Sequence, residues 1–187
     1  MQDIEDLARR IDRLETHVAI RELVSAYAIA CDEQDIARLR ALFTHDATFS
    51  SASGRMQATG GEAVCALLAR ALANRGPSCH WTHDVIVRPD AHDPDRATGT
   101  VYSHAETTPD GVVSLAAMRY HDEYTREGGV WRFRRREISY LYYVPAEQYP
   151  AGLNSELRVH TGAGLAPADY PETLTAWQAF RQQHRGG

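Results

Sequence analysis

The hydrophobic pattern of the chain changes once, from a helical period to a strand-like alternation near residue 80. Neither Pro nor Gly occurs before Gly54, and apolar residues recur at helical spacing, which predicts long helical segments. Thr16 is suited to cap a second helix, so we expect the run to divide near residues 15–17. The recurring apolar residues are Ile4, Leu7, Ile11, Leu14, Val18, Leu23, Val24, Tyr27 and Cys31.

Shorter elements are expected between this run and residue 80. Asp35 to Phe43 is predicted to be a short helix, and Glu62 to Ala73 an amphipathic one. Ala47 to Ser51 and Arg55 to Ala58 are expected to pair as a small hairpin around Ser53-Gly54.

Beyond residue 80 the pattern indicates a meander of long strands separated by turns rich in Pro, Asp and Gly. Helices followed by consecutive strands favour an α+β fold over an alternating α/β fold. The predicted strands are His80–Pro89, Arg96–Thr107, Val112–Arg126 and Val130–Val144.

The chain is expected to divide at residue 144 into an α+β domain, 1–144, and a C-terminal extension, 145–187. The extension is rich in Pro and Gly, which predicts an extended loop. A short helix is expected from Glu172 to His184. We expect this extension to pack on the domain or on a partner subunit.

Composition excludes several functional classes. The 187 residues carry a formal net charge of −5, which argues against nucleic-acid binding. The N-terminal residues lack the features of a signal peptide, and no apolar run approaches the roughly 18 residues needed to span a bilayer. We therefore expect a soluble cytoplasmic protein without a membrane partner. The three cysteines, Cys31, Cys65 and Cys79, lack metal-ligand or redox-motif spacing.

Asp32 is the first candidate catalytic residue. It ends the apolar helical run, and a carboxylate on the core side of a helix is costly unless it is paired. His80, which begins the first long strand, is the expected partner. An Asp–His pair in an apolar pocket is a proton-transfer device, since the carboxylate orients the imidazole and raises its basicity.

Ordered motifs along residues 3–144 resemble the SnoaL-like branch of the nuclear-transport-factor-2-like superfamily. In chain order they are Tyr-Ala-x-x-x-Asp, Leu-Phe-Thr-x-Asp-Ala, a Gly-Gly helix, His-Trp-x-x-Asp and Trp-Arg-Phe-x-x-Arg. Scytalone dehydratase, bile acid 7α-dehydratase and lindane dehydrochlorinase are members of this branch. The resemblance implies a cone in which a strongly curved antiparallel sheet wraps the N-terminal helices around a deep apolar pocket.

The resemblance also implies roles for individual residues. Asp32 and His80 match the catalytic Asp–His dyad of the dehydratases and dehydrochlorinases. Tyr27 matches a tyrosine that binds substrate oxygen, and is predicted to be catalytic. Four further residues are expected to contact substrate in the pocket, namely Trp81, Asp84, His104 and Arg136.

Strand register leaves two of these assignments open. Arg135 and Arg136 face opposite ways in a regular strand, and a bulge would exchange them. Likewise, Ser103 replaces His104 in the pocket if the register slips by one residue. His83 is expected to face away from His80, which argues against a metal site at His80-x-x-His83.

The predicted function is a cofactor-independent lyase of the dehydratase type that acts on an apolar, ring-containing small molecule. An isomerase, a retro-aldol lyase or a polyketide-type cyclase would use the same dyad, because a fold does not determine a reaction. The alternatives outside catalysis are a small-molecule-binding module, a protein like the β-subunit of ring-hydroxylating dioxygenases, and an assembly unit whose pocket is closed by Tyr140, Tyr142 and Tyr143. No cofactor or metal is expected, and the resemblance implies a homo-oligomer, a dimer or a trimer.

Overall fold

The computed structural model describes residues 2–184 and has the expected order, with helices before the long strands. The helices are α1 (Gln2–Asp32), α2 (Ile36–Leu42), α3 (Gly61–Ala73), α4 (Tyr149–Gly152) and α5 (Thr175–His184), with a 3-10 turn at Ala146–Gln148. The strands are β1 (Phe43–Ser51), β2 (Gln57–Thr59), β3 (Cys79–Pro89), β4 (Arg96–Thr107), β5 (Ser114–Glu127), β6 (Val130–Pro145), β7 (Leu157–Thr161) and β8 (Gly164–Pro167).

Helix α1 is continuous, so the predicted division near residues 15–17 is wrong. Thr16 is only 2% exposed and lies one turn before Ile20 and two turns before Leu23, which are also buried. Continuing the helix buries these side chains without interruption, and tertiary packing of this kind outweighs a local capping preference. Helix α2 forms as predicted, with the Asp35 carboxylate accepting a hydrogen bond from the Arg38 amide at 2.8 Å.

The strands form one sheet, in which six follow the order β2-β1-β6-β5-β4-β3 and β7 and β8 join at β6. All pairs are antiparallel except β1–β6 and β6–β7. The sheet is strongly curved, and its inner face packs against α1, as predicted. Phe43, Phe133, Val101, Ile20 and Leu39 are almost fully buried between them. The predicted hairpin of β1 and β2 is also confirmed.

Bulges in β3 and β6 decide which of their side chains face inward. Strand β6 has one extra residue relative to β5 at Arg134 and another at Leu141. Strand β3 has one between His83 and Ile86, where Asp84 adopts a positive φ of 49°. Each bulge allows two residues three positions apart to point to the same face of the sheet.

The C-terminal segment adds a hairpin, β7–β8, where an uninterrupted loop was predicted. Val159 of β7 pairs in parallel with Tyr143 of β6, because β1 pairs with β6 only as far as Ile138 and leaves the backbone groups beyond it free. The Asp169 carboxylate accepts a hydrogen bond from the Tyr140 amide at 2.7 Å, which ties the segment to the sheet. The predicted terminal helix is confirmed as α5, and all of its described residues lie near the surface. The division at residue 144 stays a prediction.

Candidate active site

Asp32 and His80 form a hydrogen-bonded pair between the end of α1 and the start of β3. The His80 Nδ1 atom lies 2.5 Å from Asp32 Oδ1, and the His80 backbone amide donates to Oδ2 at 2.8 Å. The Ser78 hydroxyl also donates to Oδ1, at 2.9 Å. Three donors therefore hold one carboxylate, and they fix both its rotation and the orientation of the imidazole.

The pair is largely enclosed but keeps limited access to solvent. The His80 side chain is 9% exposed and that of Asp32 is 19% exposed. Burial alone would raise the pKa of Asp32, but the hydrogen bonds from the His80 ring, its amide and Ser78 outweigh burial and lower the pKa below its ordinary value. Asp32 is therefore ionised at neutral pH.

This shift predicts how the pair contributes to stability. Because the pKa of Asp32 is lower in the folded state, its contribution is complete above the ordinary aspartate pKa of about 3.9 and is lost as pH falls through the folded pKa. We therefore expect the unfolding free energy of the wild type to fall more steeply below about pH 4 than that of Asp32→Asn. Urea unfolding across this range measures the difference. Parallel pH profiles for the two proteins would contradict the assignment.

His80 stands at one end of a row of residues that crosses the inner face of the sheet. It pairs with Ala105 of β4, which pairs with Ala116 of β5, which in turn pairs with Tyr143 of β6. The two alanines between the imidazole and the tyrosine ring are buried, at 2% and 3% exposed, and their side chains end at Cβ. The row therefore connects the dyad to the part of the inner face that Tyr143 occupies.

A cavity of about 200 Å³ lies at this far end of the row, against Tyr140 and Tyr143. The bulge at Leu141 turns both tyrosines inward, and their rings stack with centroids 5.8 Å apart. Arg55 and Arg75 also line the cavity, so its wall combines aromatic surface with positive charge. Larger volumes lie elsewhere on the surface, such as 650 Å³ beside α5, but the row from His80 leads to this cavity.

Tyr27 lies in the aromatic core one helical turn before Cys31. Its ring makes edge contacts with Phe43, Tyr120 and Phe133 at centroid distances of 5.7–6.2 Å. Burial raises the pKa of Tyr27 well above its ordinary value, and the neighbouring Cys31 thiol raises it further. This is the environment of a core tyrosine, and the predicted contact with substrate oxygen stays a prediction.

Arg136 faces inward, which resolves the choice between it and Arg135. The bulge at Arg134 leaves Arg135 in solvent and turns Arg136 into the core. Its guanidinium donates to both oxygens of Asp122, at 2.9 and 2.8 Å, and both side chains are almost fully buried. The Nη1 atom has no hydrogen-bond partner in the described part of the chain.

Three aromatic rings enclose the Arg136 guanidinium, those of Tyr27, Tyr120 and Phe133, at 4.1–4.3 Å. This enclosure and the Asp122 pair give Arg136 a structural role in the core. Its predicted contact with substrate stays a prediction.

Three of the predicted pocket residues lie on the outer face of the sheet, and those assignments are wrong. Trp81 is 50% exposed, the Asp84 side chain is 77% exposed, and His104 is exposed beside it. Alternation along β3 and β4 places Trp81 and His104 on the face of the sheet opposite to that of His80 and Ser103. The β3 bulge turns Asp84 to the same outer face. Ser103, at 1% exposed, is the inward residue that the register argument had left open.

These outward residues form a polar cluster around His83. The His83 ring hydrogen-bonds Asp84 through Nδ1 at 2.9 Å and His104 through Nε2 at 2.8 Å. Burial lowers the pKa of His104, and the neighbouring His83 lowers it further. His83 thus faces away from His80, as predicted.

Sequence reasoning missed several residues of this region. Ser78 is a short polar residue in a loop and offered no periodic signal, although it donates to Asp32. Arg75 follows the end of α3, and only the folded chain brings it to the cavity. Tyr140 and Tyr143 were expected, together with Tyr142, only as residues that close the pocket of an assembly unit. A bulge that strand alternation does not reveal turns Tyr140 and Tyr143 to the same inner face.

Within residues 2–184, no three His, Cys, Asp or Glu side chains converge into a group able to hold a metal ion. Each helix of the same range is too short or too polar to span a lipid bilayer.

Comparison with known proteins gives concordant similarities in sequence and structure. The profile of the SnoaL-like domain matches residues 12–137. The gamma-hexachlorocyclohexane dehydrochlorinase of Sphingobium indicum is 27% identical over 136 residues, which cover 72% of this chain and 86% of that protein. The crystal structure of LinA aligns with a TM-score of 0.63 and 26% identity, covering 73% of this chain and 92% of the other.

A further similar structure is that of an NTF2-like protein with a cystatin-like fold from Novosphingobium aromaticivorans. It aligns with a TM-score of 0.61 and 28% identity, covering 75% of this chain and 92% of the other. The profile match ends within β6, so the segment after residue 137 lies outside it.

Proposed function

Because the chain belongs to the SnoaL-like domain family, we propose that it is a lyase of the dehydratase type that acts on an apolar small molecule without a cofactor. One observation carries the proposal. His80 is hydrogen-bonded to a carboxylate and lies at the end of a row of small residues that leads across the inner face to a cavity. The similarity to a dehydrochlorinase, an enzyme named for an elimination, supports the same class of reaction.

In this proposal His80 is the general base. With the Nδ1 proton donated to Asp32, the neutral imidazole has its lone pair on Nε2. Nε2 removes a proton from a carbon of the substrate, the C–H electron pair forms a double bond to the neighbouring carbon, and the leaving group departs with its bonding pair. The imidazolium then returns its proton to the departed group or to water.

Asp32 stabilises the imidazolium while it exists. An ionised carboxylate at hydrogen-bonding distance favours the charged ring and keeps it in one tautomer. The two additional donors to Asp32, the His80 amide and the Ser78 hydroxyl, prevent the carboxylate from rotating away during the proton transfer.

The lining of the cavity supports a substrate with a flat apolar body. The stacked rings of Tyr140 and Tyr143 offer an aromatic wall, and Arg75 offers a positive charge for oxygen that becomes negative during the reaction. Burial raises the pKa of Tyr140 to about 12, so it is a neutral hydrogen-bond donor at neutral pH.

The proposal is tested by following proton abstraction and elimination separately. The protein is incubated in D₂O with apolar ring compounds that carry a hydroxyl or chloride on the carbon next to an activated C–H, and the mixtures are analysed by NMR. We expect an alkene product from at least one compound, at a rate that falls strongly in Asp32→Asn. An isomerase would exchange deuterium and move the double bond without losing a group. Binding of compounds with neither exchange nor elimination would contradict the lyase proposal.

A further inference from the structure

Helix α1 has a second apolar face, on the side that does not contact the sheet. Five large apolar residues are exposed there in the described structure: Ile4 at 73%, Leu7 at 53%, Ile11 at 46%, Leu14 at 66% and Val18 at 57%. An amphipathic helix on a globular domain needs only one apolar stripe. The second stripe leaves a row of aliphatic side chains in water.

The two faces lie on opposite sides of the helix. Thr16 and Ile20 are each two positions from Val18, which is close to half a turn around the helix. Both are buried, at 2% and 0% exposed, whereas Val18 is exposed. A partner on the outer stripe would therefore approach from the side away from the domain and would not collide with it.

The spacing of the outer stripe is that of a coiled coil. Its members alternate in steps of three and four residues, which places Ile4, Ile11 and Val18 at position a and Leu7 and Leu14 at position d of a heptad. This period is 3.5 residues, the repeat at which two supercoiled helices keep the same seam in contact. The pattern is self-complementary, so a second copy of α1 is a matching partner.

The flanking charges favour a parallel pair in register. Arg10 occupies position g and Glu15 occupies position e of the following heptad, and both are exposed. In a parallel pair, g faces the e position five residues later on the partner, so Arg10 and Glu15 attract each other twice. In an antiparallel pair centred on Ile11, Arg10 would face Arg10 of the partner, which is repulsive.

From these observations we propose that two copies of the chain associate through the outer face of α1, as a parallel two-fold dimer. Beyond Val18 the next positions of the heptad seam hold Arg21 and Ser25, so the apolar seam ends at Val18. Ala26 and Ile29 add apolar surface beside it, in a groove that they line with Val18. From Ile4 to Val18 the seam extends over about 21 Å of helix, which makes the proposed pair a short coiled coil of two heptads. This surface is distinct from the catalytic pair and independent of the proposed reaction.

The proposal is tested first by measuring the mass of the full chain in solution. We expect a concentration-dependent dimer by light scattering or sedimentation, and a monomer for Leu7→Glu/Leu14→Glu at the same concentrations. The matched control is Val113→Glu, since Val113 is 57% exposed on a loop away from α1 and should leave the dimer intact. Circular dichroism shows that each variant is folded. A monomeric wild type, or an oligomer that survives the double substitution, would overturn the proposal.

Orientation is tested by charge exchange and cross-linking. Arg10→Glu should weaken the dimer at least several-fold, and addition of Glu15→Arg should restore it. In a Cys79→Ser background, Leu14→Cys should form a disulfide-linked dimer on oxidation, because Leu14 faces Leu14 of the partner in a parallel pair. Val113→Cys in the same background serves as the control. A dimer in which Leu14→Cys does not cross-link would exclude the parallel arrangement.

Discussion

Replacing His80 with glutamine is expected to lower the elimination rate by about 100- to 10,000-fold, the range that a positioned general base contributes. The Gln amide can still donate to Asp32, so the carboxylate keeps a partner and the fold is retained. The substituted side chain has no lone pair basic enough to remove a proton from carbon. We therefore expect kcat to fall while the binding of unreacted substrate changes little.

His83→Gln is the matched control for this substitution. It removes a histidine from the same strand, three residues away, but from the outer face, where the ring contacts Asp84 and His104. It should leave the rate unchanged. A fully active His80→Gln would exclude His80 as the base, and an equal loss in both variants would indicate a general effect on β3.

Removing the Asp122 carboxylate is expected to produce the largest loss of stability. Asp122→Ala leaves the Arg136 guanidinium charged, almost fully buried and without its partner, and breaking a buried pair in this way costs about 3–5 kcal/mol. The Tyr124 hydroxyl also loses its acceptor, which now lies at 2.8 Å. Urea unfolding should show a much lower midpoint with the protein still folded in water, or no folded protein at all.

Two further variants distinguish the stability contributed by the buried pair from that of an exposed ion pair. Replacing both partners with apolar residues, in Asp122→Leu/Arg136→Met, should recover most of the lost stability, because no charge stays buried. Glu123→Gln removes a partner of the exposed Arg135 and should cost no more than about 1 kcal/mol. If Asp122→Ala unfolds at the same urea concentration as Glu123→Gln, the buried pair does not stabilise the core.

The same double variant tests what Arg136 does. If Arg136 is purely structural, the Asp122→Leu/Arg136→Met variant should have the same KM as the wild type. A large rise in KM with normal stability would instead support the predicted contact between Arg136 and substrate.

Local patterns predicted most of the secondary structure. The turns rich in Pro, Asp and Gly placed the ends of β3 to β6 within two residues of their observed positions, since these residues end strands for steric reasons that do not depend on the rest of the fold. The division of α1 was wrong because the burial of Thr16 and its neighbours is a property of the sheet packed against them. The β7–β8 hairpin was missed for a related reason, as its pairing depends on the free edge of β6.

The sequence by itself determined the order of helices and strands and the choice of Asp32 and His80 as partners. It did not separate the exposed apolar stripe of α1, from Ile4 to Val18, from the buried one that packs on the sheet. A buried carboxylate needs a donor, and that requirement is visible in the residues alone. Only the tertiary structure decided which strand residues face inward. Bulges at Arg134 and Leu141 turn Arg136, Tyr140 and Tyr143 to the inner face, and alternation turns Trp81 and His104 outward. A bulge bends its strand to follow the curvature of the whole sheet, so its position depends on neighbouring strands that a local period does not describe.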